Sequence, residues 1–148
     1  MEVIEMIYEP SLHFGQKDPV ILADDTYNDT RYVVVSYHTH PCAYIQLNKD
    51  LPIFNDIKDD YNYDDLMLSS PHGGITYMSD ELGVPDLEDN RKEGMVWIGW
   101  DYAHAGDYIC SPFTTGYEDD KRWTTWEIIR DCISTIDELE EDTLRRMQ

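Results

Sequence analysis

Cysteine is scarce in this chain: there are three, Cys42, Cys110 and Cys132, an odd number with no CxxC pair. Such a set implies no disulfide framework and fits reduced thiols in a cytosol. Basic residues are scarce as well. Eleven Lys and Arg face 31 Asp and Glu, a formal net charge of -20. Counterion release has the wrong sign for such a chain, which argues against direct binding of nucleic acid, and the same charge repels an anionic membrane. No apolar run approaches the length of a membrane span. The opening stretch M-E-V-I-E-M-I-Y-E places acids among its apolar residues and has no basic n-region, so it does not read as a signal peptide. The signatures G-x-S-x-G, G-x-x-x-x-G-K and H-E-x-x-H are missing, and with them the nucleophile-elbow, P-loop and zincin chemistries.

What is present points to a folded chain. At 148 residues it is long enough to bury a real core, and no linker or repeat divides residues 1–148, so one domain is expected. A hydrophobic content of 41%, with eleven tyrosines among the aromatics, argues against disorder despite the charge. The acids admit three uses: a solvated surface, a cation site, or a phosphate-like face for a basic partner.

Periodicity predicts α+β architecture, a mainly antiparallel sheet with one long C-terminal helix packed on a face. Residues 3–9 alternate imperfectly and are a first candidate strand, followed by a loop over 10–19. Residues 20–23 form a short apolar piece that ends at Asp24 and Asp25, and Asn28-Asp29-Thr30 is a turn cluster. Residues 31–37, R-Y-V-V-V-S-Y, are the clearest strand. Pro41 cannot donate to a sheet ladder, so a turn or bulge is expected around it. Residues 42–47 follow as an antiparallel neighbour. Residues 69–74 form a tight loop, 75–78 a strand, 80–93 a polar loop and 95–100 a buried strand. An irregular acidic connection then spans 111–121. Thr124 and Glu127 make a T-x-x-E capping box for the helix. Trp126, Ile129, Ile133, Ile136 and Leu139, with Cys132, recur at its core-facing spacing.

The chemistry concentrates at residues 95–107, M-V-W-I-G-W-D-Y-A-H-A-G-D. The strand delivers Asp101 to its end. Small residues at 103, 105 and 106 allow a tight turn that brings His104 and Asp107 back towards it. His72, in P-H-G-G, sits before a second sharp turn. Two imidazoles and one or two carboxylates suit a tetrahedral Zn²⁺, with Fe²⁺ or Mn²⁺ also possible. The bland alternative is a pair of turns in which aspartates cap backbone N–H groups. A further set, His38, His40 and Cys42, alternates along a strand, but Pro41 interrupts it. In the acidic middle, Asp56, Asp59, Asp60, Asp64 and Asp65 interleave with Tyr61 and Tyr63. This is either an exposed loop or an edge that binds a partner through carboxylates and tyrosine.

The blocks H-G-G-I-T-Y at 72–77 and W-I-G-W-D-Y-A-H-A-G-D at 97–107 resemble a family of small phage and prophage proteins. Members carry H-G-G-L-T-Y/F and then W-W-F-G-F-D-C-A-H-x-G-D, often after a C-G-Y-V-type strand that C-A-Y-I at 42–45 is similar to. Order and spacing match over about residues 32–140. A zinc-containing anti-CRISPR inhibitor is similar in size and type. The resemblance implies protein–protein inhibition of a host CRISPR RNA-guided effector nuclease in the bacterial cytoplasm, through the nuclease's basic surface, with zinc holding the fold. It carries over His72, Asp101, His104 and Asp107 as zinc ligands, with Cys42 in reserve. Tyr102 stands where the family often has Cys, so that position offers no ligand. The alternative from another class is a metal-dependent hydrolase with Asp101 or Asp107 as general base beside a metal-bound water.

Overall fold

The computed structural model describes residues 18–58, 61–109 and 119–148. The expected strand at 3–9 lies outside them. Architecture is α+β: five strands form one antiparallel sheet in the order β1-β2-β3-β5-β4, and one long helix packs against it. The strands are β1 (Val20–Tyr27), β2 (Thr30–Ser36), β3 (Pro41–Asn48), β4 (Tyr77–Ser79) and β5 (Met95–Asp101), and the helix is α1 (Thr125–Arg146).

β1 runs on through Asp24 and Asp25, beyond the end predicted from its apolar residues. Pairing with β2 carries it to the turn at Asn28 and Asp29, whose φ angles of 49° and 62° are what a tight two-residue hairpin demands. Arg31 then clasps Asp24 across the ladder, with Nε and Nη2 each donating at 2.8 Å. The second hairpin turns at His38 and Thr39, where Tyr37 N donates to His40 O at 3.0 Å. Pro41 follows the turn and opens β3 opposite Ser36, a first-strand position that proline tolerates.

All three valines of β2 are buried because the sheet is covered on both sides. Val34 faces α1 with Ala43, Ile45, Ile98 and Trp100. Val33 and Val35 face a second core with Tyr44 and Trp97, closed by Leu82, Val84 and Leu87. The stretch 80–93 is thus the expected loop, but its three aliphatics make it a lid over the sheet. The strand expected at 75–78 begins only at Tyr77, because Ile75 turns into the helix-side core. The acidic middle holds two short 3-10 turns, Pro52–Asp56 and Tyr63–Asp65.

The capping box forms as expected: Glu127 N donates to Thr124 Oγ1 at 3.3 Å and Thr124 N to Glu127 Oε1 at 3.0 Å. The core stripe is rotated from the one the sequence suggests. Ile128, Ile129, Cys132, Ile136 and Leu139 are buried, Ile133 is half-buried on the flank, and Trp126 is 52% exposed. The buried face centres between Ile128, Ile129, Cys132, Ile136 and Leu139, and at about 100° per residue Trp126 falls beyond its edge. Among the described residues no helix is long and apolar enough to cross a membrane.

Candidate functional site

β5 ends at Asp101, and the chain doubles back at once. Ala103 N donates to Asp101 Oδ1 at 3.1 Å, Thr76 Oγ1 donates to its Oδ2 at 3.2 Å, and Asp107 N donates to His104 O at 2.9 Å. A short parallel bridge then brings in the approach to the helix: Tyr108 N donates to Lys121 O at 2.9 Å and Lys121 N to Gly106 O at 2.8 Å. Trp123 arrives by this route.

Asp107 is the centre of the arrangement, with a side chain 4% exposed. It receives His72 Nε2 at 2.8 and 3.0 Å, the backbone N–H of His104 at 3.0 Å, and Trp123 Nε1 at 2.8 Å. A carboxylate so deep is tenable because each oxygen has donors. The His72 ring stacks flat on Tyr102, with centroids 4.9 Å apart and planes 4° from parallel. It also leans on Trp123 at 4.8 Å and meets the His104 edge at 5.4 Å. Beneath it, Tyr102 OH donates to Asp131 Oδ2 at 2.7 Å and accepts Trp100 Nε1 at 3.1 Å. Burial first, then the charge and hydrogen bond of Asp131, push the Tyr102 phenol far up, so it stays a neutral donor. Burial also raises Asp131, against the hydrogen bond from Tyr102.

The second pair is His104 and Asp101. Their Nε2 and Oδ1 atoms lie 3.2 Å apart, yet no hydrogen bond forms there, and His104 Nε2 is buried without a partner among the described residues. Gly73 stands directly beside that nitrogen, where a Cβ would come within 2.4 Å of it. The four sequence-predicted ligands therefore do come together, as two His–Asp pairs joined through the ring contact of His72 and His104 and the bond from His104 N to Asp107. Among the described residues, no group of three or more His, Cys, Asp or Glu side chains is disposed to hold a metal.

Of the other candidates, His38 points away, its Nε2 against Asp18 O at 2.8 Å. His40 and Cys42 border a cavity of about 180 Å³ together with Asp101. Burial lowers the His40 imidazole and pushes the Cys42 thiol up to about 12, so both are neutral. In the acidic middle, Asp56 is bound to Arg146 by contacts of 2.6 and 3.1 Å. Asp65 Oδ2 accepts Lys58 N at 3.0 Å, and Tyr63 packs against the helix-side core. Tyr61 is exposed but bonded through its OH to Asp80, and Asp64 is exposed. Asp59 and Asp60 lie outside the described residues.

Trp123 and Asp131 belong to the site, as does Glu138, which holds the loop before His72 by accepting Ser70 N at 2.8 Å; from sequence none of the three is a candidate for it, and Tyr102 is only a position that offers no ligand. The available signal was chemical: a Trp N–H or Tyr O–H beside a buried strand end needs a partner. No known protein family matches this chain, and neither does a curated protein or a solved structure.

Proposed function

We propose that the protein acts by binding, docking on the basic surface of a host CRISPR effector nuclease in the bacterial cytoplasm and inhibiting it. The observation that carries this reading is the net charge of -20 on 148 residues. That field speeds encounter with positive surfaces and disfavours every acidic competitor. A channel that holds an RNA–DNA heteroduplex by its phosphates offers the complementary sign. The nuclease is what the motif resemblance implies, and the net charge calls for a basic protein surface. Within residues 56–65, Asp64 and Tyr61 are exposed, and Met67, two residues beyond that stretch, is 84% exposed.

The proposal includes a zinc ion held by His72, Asp101, His104 and Asp107. One feature supports the fit: Nε2 of His104 is buried and makes no hydrogen bond among the described residues. Bound there by four protein ligands, zinc would supply folding energy. Both oxygens of Asp107 already hold N–H groups, which would have to give way for it to serve either as a zinc ligand or as the general base of the hydrolase alternative.

Calorimetric titration of the nuclease with this protein tests the binding reading. Affinity should fall steeply as salt rises from about 0.05 to 0.5 M, as screening shortens the reach of exposed charges. Binding that ignores salt, or no binding at all, rejects it.

A further inference from the structure

An apolar groove of about 360 Å³ runs beside the C-terminal half of α1, away from the His–Asp centre. One wall is a helix stripe at three- and four-residue spacing: Ile136, Leu139, Glu140, Thr143 and Leu144. The other is Thr30 at the start of β2 with Leu47 near the end of β3 and Leu51 just after that strand. Leu144 is 62% exposed at the mouth. The floor beneath it is closed by buried side chains, Ile136, Leu139 and Leu47, so Leu144 is the one large apolar side chain of the groove that is exposed to water.

The rim has one sign. The β1–β2 turn meets the helix where Asn28 Nδ2 donates to Glu140 Oε2 at 3.4 Å, and Tyr27 OH donates to Asp137 Oδ1 at 3.0 Å. Asp29 sits in that turn, Asp50 precedes Leu51, and Glu141 follows Glu140 on the exposed side of the helix. The ion pairs among the described residues include none of Asp29, Asp50, Asp137, Glu140 and Glu141. The cations nearby are already matched. Arg146 is held by Asp56 and Asp142, Arg145 by Asp142, and Lys49 by Asp80. An apolar floor inside a ring of unneutralised carboxylates is complementary to an aliphatic side chain flanked by Lys and Arg.

We infer that this groove receives a basic amphipathic segment of the partner protein, its apolar side chains in the groove and its cations on Asp137, Glu140 and Glu141. The inference rests on the proposed binding to a basic surface and names a second, apolar contact within it. Charge then sets the encounter, and the groove sets orientation and residence.

Two synthetic probes separate the two ideas: an 18-residue peptide with Leu and Lys at helical spacing, and the same peptide with every Leu replaced by Ser. Fluorescence anisotropy on the full chain at moderate salt should show the Leu peptide binding about tenfold tighter or more, as an anchored apolar contact would give. Leu144→Ser should remove most of that difference while leaving the Ser peptide's affinity unchanged. The double variant Glu140→Gln/Glu141→Gln, which keeps side-chain shape, should weaken both peptides and flatten their salt dependence. If neither peptide binds, the electrostatic reading itself fails. If both bind equally, or Leu144→Ser changes nothing, the charge reading survives and the groove is overturned. A dimer of the chain alone that Leu144→Ser dissociates would assign the groove to a second copy and overturn the inference in that way.

Discussion

Glu138 on α1 receives the backbone N–H of Ser70 at 2.8 Å, so the last element of the chain holds the loop that presents His72. The same carboxylate accepts Ser69 N at 2.9 and 3.1 Å and Ser69 Oγ at 3.1 Å. A side chain on a rigid helix thus sets the position of a loop ligand, as precise sites require. Asp131, about two turns earlier on the same helix, holds Tyr102, the platform under the His72 ring. The His–Asp centre is therefore mounted on α1 although none of its four members belongs to it.

This mounting has a pH dependence. Glu138 is held below its ordinary value of 4.5: burial alone would raise it, but the N–H groups and hydroxyls of Ser69 and Ser70 outweigh burial. A lowered folded value gives stability that is present above 4.5 and lost as pH falls through the folded value. Glu138→Gln should cost about 1 kcal/mol at neutral pH, a charged hydrogen bond discounted for partial exposure. The cost should shrink as pH falls below 4.5 and through the lowered folded value, where the wild-type carboxyl also becomes neutral. Urea unfolding at neutral pH and over a falling pH series measures this; a cost that stays constant across the series would show that ionisation of Glu138 contributes nothing.

The helix stripe yields a sharper contrast than its periodicity promised. Ile136 is 1% exposed in the helix-side core, whereas Ile133 is half-buried on its flank. Ile136→Ala should cost about 2–5 kcal/mol, the range for a fully buried aliphatic. Ile133→Ala should cost clearly less, since less apolar area leaves water there on folding. Comparable losses at the two positions in chemical denaturation would mean that the stripe faces the sheet as the sequence periodicity alone suggests.

Much of this fold was legible because local signals agreed with the tertiary result. The valine run, the Asn28-Asp29 turn and the Thr124/Glu127 box each specify an element by its own chemistry. What escaped were relations between distant segments. Nothing local in 80–93 shows that Leu82, Val84 and Leu87 close a second core, and nothing near Glu138 shows that its partners are Ser69 and Ser70. The site divides in the same manner. Spacing brought Asp101, His104 and Asp107 into one turn, but the donor from Trp123 depends on the bridge between Asp107 and Lys121. Asp56 shows the converse: it stood in an acidic run that suggested a partner, and its charge is matched by Arg146, ninety positions along the chain.

Zinc has a direct test. Element analysis of the purified protein should return one zinc per chain, and a chelator should lower the melting temperature. His104→Ala should abolish the metal and lower the melting temperature by a similar amount, because metal binding energy is folding energy in a structural site. Metal-free wild-type protein with unchanged stability after His104→Ala would sink the zinc proposal and leave His104 a turn residue.

The two adjacent glycines of the His72 loop give a matched pair for the contact beside His104. Gly73 and Gly74 have φ of 73° and 85°, so an alanine at either position meets the same left-handed backbone penalty, about 1–2 kcal/mol. Their surroundings differ. A Cβ at Gly74 has nothing within 4 Å, while one at Gly73 would lie 2.4 Å from His104 Nε2 and 2.7 Å from two ring carbons. Gly73→Ala must therefore displace the imidazole as well, adding about 1–3 kcal/mol, the range for overpacking. That displacement should also show in the ring resonances of His104 and His72, whose edges touch, and these should stay in place in Gly74→Ala. Stability from urea unfolding and imidazole chemical shifts check both halves. Equal costs and unmoved histidine resonances in the two variants would mean that Gly73 is there for its backbone alone, and that its close packing on the His104 ring has no part in the site.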